Sequence, residues 1–354
     1  MELLEIIVKN IPAIDNAAIK VAAEREDQLT KPIGSLGRLE ELVIKIAGMR
    51  AEARPSLDKK KVIVFASDHG VALEGVGSYP QEVTMQMLMN FRVKGAAINV
   101  LAAQAGADIS LVDMGVACPY PEADDVILRK LGPGTANIAV GPAMDRATAV
   151  KALETGMELA LLDADKGMNL LAVGEMGIGN TTSSAAIICA VTGNSPDEVT
   201  GTGAGLAPEK LQHKKEIVKK ALAVNSPDVT DGIDVLASLG GFEIGAMAGA
   251  IVAAASRRIP VVIDGIISSA AALIASLIAP DSVNYMIAGH RSQVPGHSFA
   301  LAKLGLEPYL ELDMRLGEGT GAVLCFNIVE AACRTLDEMA TFAEAGVSEA
   351  NDEN

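Results

Sequence analysis

Tryptophan is absent from this chain of 354 residues, and aromatic residues make up only 3% of it. Half of the residues are hydrophobic all the same, so alanine, valine, isoleucine, leucine and methionine must build the interior. Small side chains of this kind suit close packing of helices against a sheet. Because the chain is long enough to bury a core, we expect one large α/β domain or two smaller domains.

Basic residues are also scarce. The 29 lysines and arginines stand against 45 aspartates and glutamates, which gives a formal net charge of −16. Nucleic acids and anionic membranes both bind basic surfaces, so we expect neither as a partner. A small anionic substrate is compatible with this charge if a few cations and backbone amides surround it locally.

Cysteines are few and far apart, and none of the four belongs to a CxxC pair or to a cluster with zinc-ligand spacing. We therefore expect reduced thiols, no metal site and no cofactor. The chain does not begin with a basic segment followed by an apolar one, and its apolar runs are too short to cross a bilayer. Together these features predict a cytoplasmic protein.

Short apolar, β-branched runs alternate with longer helical patterns, and each run ends in a polar or glycine-rich turn. This alternation predicts an α/β fold with a mostly parallel, doubly wound sheet, in which ligands bind beyond the carboxyl ends of the strands. We expect residues 56–329 to form this α/β unit and the helical ends, 1–55 with 330–354, to form a small second domain. One long helix is predicted over residues 81–105. The predicted strands cover residues 61–67, 109–114, 170–173, 261–264 and 284–288.

A glycine-rich loop follows the predicted strand at residues 170–173 and leads into a helix that starts with hydroxyl side chains. Strand, glycine loop and helix start together are typical of phosphate binding by backbone N–H groups. The loop contains Glu175, and it matches neither the Walker A motif nor the dinucleotide fingerprint. It therefore indicates a phosphate site without indicating which nucleotide binds.

Lys214 lies on a helix that follows a second glycine loop at residues 201–205. At about 100° per residue, this lysine falls within the apolar stripe formed by Leu211, Ile217 and Ala221. An inward-facing lysine needs an anionic partner or must extend to solvent. The neighbouring glycine loop favours a bound phosphate.

Glu318 is flanked by Gly317 and Gly319, just before an apolar run that predicts a buried helix with Thr320 as its N-cap. Two interpretations are open: a carboxylate at the mouth of a ligand site, or an acidic residue that stabilises a helix N-terminus. Two interpretations are also open for the Asp68-His69 pair after the first strand, since such a pair either caps a turn or takes part in chemistry.

Several sequence strings, in this order, carry a resemblance that covers nearly the whole chain. They lie at residues 30–37, 67–71, 174–182, 240–244, 289–292 and 315–321. With these strings the chain resembles the nicotinate-nucleotide–dimethylbenzimidazole phosphoribosyltransferase family, whose members prepare the lower-ligand nucleotide of cobamides. The resemblance implies a Rossmann-like fold, small-molecule substrates and a homodimer in which the neighbouring subunit helps to close each site.

The resemblance also implies the reaction. The 5-phosphoribosyl group moves from nicotinate mononucleotide to 5,6-dimethylbenzimidazole or a related base, which gives α-ribazole 5′-phosphate and nicotinate. By resemblance, Glu318 is the general base and Glu175 is the second carboxylate of the site. The positions that match the family's mononucleotide and phosphate contacts are Gly177, Asn180, Gly203, Gly205, Lys214 and Ser292.

The acceptor site is where this sequence departs from the family. Tyr79 and Met87 stand where some members have serine and glutamine, with Gln86 one position away, and Leu316 matches an acceptor-ring contact. Dimethylbenzimidazole, another benzimidazole, adenine and a phenol therefore all stay open as acceptors. The alternative function is a non-catalytic, nucleotide-binding regulatory module, which would use the same phosphate loops without needing Glu318.

Overall fold

A parallel sheet forms the centre of the structure, a computed structural model that describes residues 2–121, 124–203 and 205–348. Short 3₁₀ helices cover Gly70–Glu74 and Pro280–Tyr285. The helices and strands, in chain order, are α1 (Glu2–Lys9), α2 (Asn16–Gln28), α3 (Arg38–Arg50), β1 (Lys60–Ser67), α4 (Glu82–Arg92), α5 (Ala97–Ala105), β2 (Ala107–Gly115), β3 (Val126–Leu128), α6 (Arg146–Asp165), β4 (Leu170–Met176), α7 (Asn180–Thr192), α8 (Pro196–Val199), α9 (Pro208–Asn225), α10 (Gly232–Leu239), α11 (Phe242–Ser256), β5 (Val261–Ile263), α12 (Ile266–Ile278), β6 (Met286–Ala288), α13 (Pro295–Leu304), α14 (Thr320–Glu338) and α15 (Phe342–Ala345).

Within the described residues, six strands form one sheet in the order β3-β2-β1-β4-β5-β6, and all neighbouring pairs are parallel. This confirms the predicted α/β fold with a doubly wound, parallel sheet. The order reverses between β1 and β4, and such a switch point leaves a crevice beyond the carboxyl ends of the two strands. Strand β3 was not predicted; it has three residues and lies at the edge of the sheet.

Both faces of the sheet are covered by helices. Ile63 and Phe65 of β1 point to the face packed by α6, α7, α11 and α12, whereas Val62 and Val64 point to the face packed by α3, α5 and α14. Because β1 is buried on both sides, its sequence is a continuous apolar run rather than an alternating one.

Small residues allow α6 and α11 to pack closely against each other. A Cβ atom at Gly156 would overlap the Ala246 carbonyl oxygen, and one at Gly249 would overlap the Leu153 carbonyl oxygen. The two helix backbones therefore touch. This contact explains how a chain with so few aromatic residues fills its core.

The two chain ends meet on one face of the sheet. Arg25 of α2 donates from Nε to the Leu336 carbonyl oxygen of α14 at 2.8 Å, and the Thr30 N–H donates to the Ala340 carbonyl oxygen at 3.0 Å. The division into a catalytic unit and a helical domain made of residues 1–55 and 330–354 stays a prediction. Residues 349–354 of that predicted domain lie outside the described residues.

Two local predictions were wrong. The helix expected over residues 81–105 is divided into α4 and α5, because Lys94 adopts a left-handed φ of 59° beside Gly95. Thr320 is the first residue of α14 rather than its N-cap; Gly319 is the cap, with a φ of 88°. The Thr320 hydroxyl instead donates to the Gly317 carbonyl oxygen at 2.8 Å.

Across residues 2–121, 124–203 and 205–348, no helix combines the length and the apolar character needed to cross a membrane.

Candidate active site

A cavity of about 430 Å³ opens beyond the carboxyl ends of β4, β5 and β6. Its walls come from the loop at residues 177–179 (here the phosphate loop), α4, the start of α12 and the segment that precedes α14. Most of the predicted site residues line this one cavity, although they are far apart in the sequence. Those residues are Tyr79, Met87, Glu175, Gly177, Asn180, Gly203, Lys214, Ser292, Leu316 and Glu318.

Gln86 and Gly205 are the predicted site residues that do not belong to the cavity lining. Gln86 is exposed on α4, one position away from the face that carries Val83 and Met87. Those two residues are four positions apart, so they share one face of the helix. Gly205 is exposed and has a φ of 117°. The roles predicted for Gln86 and Gly205 stay predictions.

Glu318 occupies a left-handed turn between two glycines. The φ angles are 97° for Gly317, 64° for Glu318 and 88° for Gly319. A side-chain-bearing residue in this conformation is strained by about 1 kcal/mol or more, and such strain is frequent at functional sites. Gly174 lets the turn approach β4, because a Cβ atom there would overlap the Glu318 carbonyl oxygen. The turn therefore directs a buried carboxylate into the cavity.

The Glu318 carboxylate is held by the first turn of α5. Its Oε2 accepts a hydrogen bond from the Ile98 N–H at 3.2 Å. Burial raises the pKa of Glu318, the Ile98 N–H opposes this shift, and the nearby Asp264 charge adds to it. A carboxylate with a raised pKa is a better proton acceptor near neutral pH than an ordinary one.

Glu175 is the second carboxylate of the cavity and lies on β4. Its Oε1 accepts from the Glu318 N–H at 3.4 Å, and its Oε2 accepts from the Asn180 side-chain amide. Burial raises the pKa of Glu175 to about 8, with further increases from Glu243 and Asp264. The site therefore favours the protonated form of Glu175 at neutral pH.

Lys214 supplies positive charge to the cavity lining. It is 2% exposed, as the apolar stripe on its helix predicted, and its Nζ donates to Thr181 Oγ1 at 2.9 Å. No carboxylate of the described chain forms an ion pair with it, and burial lowers its pKa to about 8. A bound anion would supply the missing counter-charge and favour the charged form of the lysine.

Backbone geometry around Lys214 also suits an anion. Asn180 is the first residue of α7, directly after Gly179 with a φ of 102°. Unpaired N–H groups at a helix start attract phosphate. Gly203 approaches so closely that a Cβ atom there would be 3.4 Å from Thr181 Oγ1 and 3.6 Å from Lys214 Nζ.

His69 lies beneath the phosphate loop rather than in the cavity lining. It is fully buried; its Nε2 lies 2.6 Å from Glu243 Oε1 and its Nδ1 lies 3.2 Å from Ser183 Oγ. A Cβ atom at Gly179 would be 3.1 Å from His69 Cβ, so the loop rests on this side chain. The geometry supports the structural interpretation of the Asp68-His69 pair.

Sequence reasoning missed Asp264 and His290. Asp264 Oδ1 accepts from the Gly321 N–H at 2.7 Å and from the Ala322 N–H at 3.0 Å, so it caps α14 from another part of the chain. His290 Nε2 lies 3.4 Å from the same oxygen, and His290 lines the cavity. Their position in the sequence could have indicated them, because each lies next to the end of a strand, at the edge of the sheet where ligands bind.

The part of the cavity predicted to bind the acceptor base, here the acceptor end, is largely apolar. Val83 and Met87 of α4 line this end together with Tyr79 and Leu316. Tyr79 and Leu316 are also largely exposed at the mouth of the cavity. Arg315, which is exposed, also belongs to the cavity lining. In the described part of the chain, no group of three or more histidine, cysteine, aspartate or glutamate side chains is arranged to hold a metal ion.

Comparison with known proteins agrees with this geometry. A family model described as a phosphoribosyltransferase matches residues 11–347. The chain is 54% identical over 349 residues to the nicotinate-nucleotide–dimethylbenzimidazole phosphoribosyltransferase of Chloroflexus aggregans, with 99% of each chain covered. It is 52% identical over 353 residues to the protein of the same name from Desulforudis audaxviator, with 100% of each chain covered.

A solved structure extends the similarity to the fold. The crystal structure of the nicotinate-nucleotide–dimethylbenzimidazole phosphoribosyltransferase from Thermus thermophilus superposes with a TM-score of 0.90 at 44% identity, covering 95% of this chain and 100% of that one. The chain therefore belongs to the nicotinate-nucleotide–dimethylbenzimidazole phosphoribosyltransferase family.

Proposed function

We propose that this protein transfers the 5-phosphoribosyl group of nicotinate mononucleotide to 5,6-dimethylbenzimidazole or a related base. The products are α-ribazole 5′-phosphate and nicotinate, and the reaction belongs to the assembly of the cobamide nucleotide loop. Family membership supports the proposal. The observation that carries it is that Glu318 and Lys214 line one cavity. The surroundings of Glu318 suit a general base, and those of Lys214 suit a partner for a phosphate.

The proposed reaction is a displacement at the anomeric carbon of the ribose. One benzimidazole nitrogen forms a bond to this carbon while the bond to the nicotinate ring nitrogen breaks. The configuration inverts, which gives the α-product. The nicotinate nitrogen is cationic while attached and takes the bonding electrons as it leaves, so it departs neutral. Because this leaving group needs no acid, we propose that neither a metal nor a cofactor takes part.

Glu318 is proposed to take the proton from the other benzimidazole nitrogen. Its carboxylate faces the cavity, and burial raises its pKa towards the range in which a general base is most effective. Glu175 contacts the Glu318 backbone N–H and favours its own protonated form. We therefore propose that Glu175 positions the Glu318 turn through this contact, rather than acting as the base.

Lys214 and the N-terminal end of α7 are proposed to bind the 5′-phosphate. The buried ammonium has a hydroxyl partner, Thr181, and gains its counter-charge from the phosphate. Ser292 is buried at the same cavity and Asn180 begins the helix, so both lie where a phosphate or ribose would contact them.

The apolar acceptor end supports a benzimidazole as the acceptor. Val83, Met87 and Leu316 offer apolar surface to a methylated ring, and none of them offers a hydrogen-bond partner for the exocyclic amine of adenine. Tyr79 and Leu316 are exposed at the mouth. We propose that a second copy of the chain covers this mouth in a homodimer and that the enzyme works in the cytoplasm on small molecules.

One assay tests the function. The protein is incubated with nicotinate mononucleotide and dimethylbenzimidazole, and released nicotinate and the new ribotide are measured by chromatography. Equal amounts of both products are expected, and omission of the base should prevent the release. Binding of the mononucleotide without release would instead favour the non-catalytic regulatory module.

A further inference from the structure

Thr84 links helix α4, at the acceptor end of the cavity, to the phosphate loop. It lies on α4 next to Val83, which faces the acceptor end, yet its own side chain is fully buried. Its Oγ1 accepts a hydrogen bond from the Ile178 N–H at 3.1 Å. Ile178 is the central residue of the phosphate loop and also lines the cavity. One side chain of the acceptor helix therefore holds the backbone of the loop that precedes α7.

Asp68 supports Thr84 from the end of β1. The Thr84 hydroxyl interacts with the Asp68 carboxylate; burial raises the pKa of Asp68, and this interaction opposes the rise. Asp68 Oδ1 has no hydrogen-bond partner of normal length among the described residues. Asp68 Oδ2 is fixed separately, because it accepts from the Ala117 N–H at 2.7 Å.

His69 supports the same loop from below. Both of its ring nitrogens have partners, Glu243 and Ser183, so the imidazole cannot rotate freely. A Cβ atom at Gly177 would be 3.5 Å from His69 Cδ2, and one at Gly179 would be 3.1 Å from His69 Cβ, so the loop packs closely on this side chain. His69 and Thr84 therefore both support the phosphate loop, the first by packing and the second by a hydrogen bond.

We propose that Thr84 is a positioning residue that fixes the acceptor helix α4 and the phosphate loop relative to each other. The proposal rests on the proposed function, because the attacking nitrogen and the anomeric carbon belong to two substrates bound at these two places. A displacement requires both atoms in line, and small misplacements of reacting groups cost rate. Thr84 acts through Ile178 and α4 and does not itself line the cavity.

Two variants of Thr84 differ from each other only by the hydroxyl group that accepts from the Ile178 N–H. Thr84→Ala and Thr84→Ser both remove the γ-methyl group, but only the alanine variant removes the partner of the Ile178 N–H. We expect Thr84→Ala to lower kcat/KM for both substrates by about 3- to 10-fold relative to Thr84→Ser, the usual effect of one lost hydrogen bond. Thr155→Ala is the control, since its hydroxyl bonds only the Lys151 carbonyl oxygen within α6 at 2.7 Å, and it should match the wild type.

Deuterium uptake of the backbone amides at residues 175–182 gives a second measurement that does not depend on activity. Uptake should be faster in Thr84→Ala than in Thr84→Ser, because the loop has lost its anchor. Equal uptake and equal kcat/KM in the two variants would overturn the proposal, while nicotinate release by the wild type would leave the proposed function intact. A wild type that releases no nicotinate would overturn the proposed function, and this inference with it.

Discussion

The two ends of the cavity are built on different principles. At the end proposed to bind the phosphate, here the phosphate end, Lys214 is 2% exposed and is already hydrogen-bonded to Thr181. At the end proposed to bind the acceptor base, Tyr79 is 57% exposed and Leu316 is 51% exposed. The first end is a desolvated charge fixed in place before any ligand binds, whereas the second is an open apolar surface.

Because of this difference, substitutions at the two ends should change different properties: the affinity for the mononucleotide at one end and the choice of acceptor base at the other. A buried cation without an ion-pair partner interacts strongly with one kind of ligand, an anion, so changes there should act on mononucleotide binding. An apolar surface discriminates weakly, because one methyl group in a hydrophobic site is worth only about 1–3 kcal/mol. Changes at the acceptor end should therefore alter the choice of base by modest factors.

The largest effect is expected at Glu318, the proposed general base. Glu318→Gln keeps the size of the side chain but cannot accept a full proton. Turnover should fall by roughly 10²–10⁴-fold, the usual contribution of general-base catalysis. Single-turnover nicotinate release measures this loss. The mononucleotide binding isotherm should hardly change, because the proposed phosphate partner is Lys214.

Glu175→Gln is the matched control for that prediction. It removes the other buried carboxylate of the cavity while leaving an acceptor oxygen for the Glu318 N–H. If Glu175 only positions the turn, the loss should be smaller than in Glu318→Gln. Near-normal turnover in Glu318→Gln with a severe loss in Glu175→Gln would exchange the two roles.

The next largest effect is expected at the phosphate end. Lys214→Ala should weaken mononucleotide binding by about 1.5–3 kcal/mol, the usual strength of a hydrogen bond to a charged group. Lys214→Met should lose as much affinity for the mononucleotide, since methionine keeps the apolar part of the lysine side chain without its charge. Calorimetric titration with nicotinate mononucleotide measures both variants.

Lys45 provides the control for burial itself. It is also a largely buried lysine, and burial lowers its pKa to about 8, but its Nζ donates to the Met286 carbonyl oxygen at 2.9 Å. Lys45→Met should leave mononucleotide affinity unchanged. Equal affinity losses in Lys45→Met and Lys214→Met would show that the effect comes from a weakened fold and not from the phosphate site.

The lowered pKa of Lys214 also predicts a pH dependence. Below pH of about 8 the free enzyme already carries the charged lysine, so affinity should be nearly constant. Above that pH, binding must first protonate the lysine, and affinity should fall by up to about tenfold per pH unit. The decline should be absent in Lys214→Met; a decline of equal slope in that variant would assign it to another group.

The sequence was most informative where a signal was local. The phosphate loop and the glycine-flanked Glu318 are short strings, and the inward direction of Lys214 follows from helical periodicity alone. The carboxyl ends of parallel strands then meet at one edge, which is why residues as distant as Gly177 and Ser292 line one cavity.

The parts that were missed depend on contacts between distant segments. Asp264 caps α14 across 57 residues of sequence, which no local pattern at Thr320 shows. Thr84 looks like an ordinary helical threonine until Ile178 is seen beside it. Helix α4 also ends where Lys94 becomes left-handed, although lysine does not usually favour that conformation.

The smallest effect is expected at the acceptor end, where two adjacent residues allow a reciprocal test. Met87 lines the cavity and Gln86 is exposed on the neighbouring face of α4. Met87→Gln places an amide against the ring of the base and should lower kcat/KM for dimethylbenzimidazole by about 10-fold, within the range for such changes in an apolar site. Activity with adenine should fall less, so the ratio of the two activities measures the change.

Gln86→Met makes the opposite substitution one position away. Because Gln86 points away from the cavity, both acceptors should be used at wild-type rates, and mononucleotide affinity should be unchanged in both variants. The reverse pattern, with selectivity altered by Gln86→Met and preserved in Met87→Gln, would show that α4 presents a different face to the bound base. In that case the apolar acceptor surface formed by Val83, Met87 and Leu316 would not be where the base binds, and the preference for a benzimidazole over adenine would need another cause.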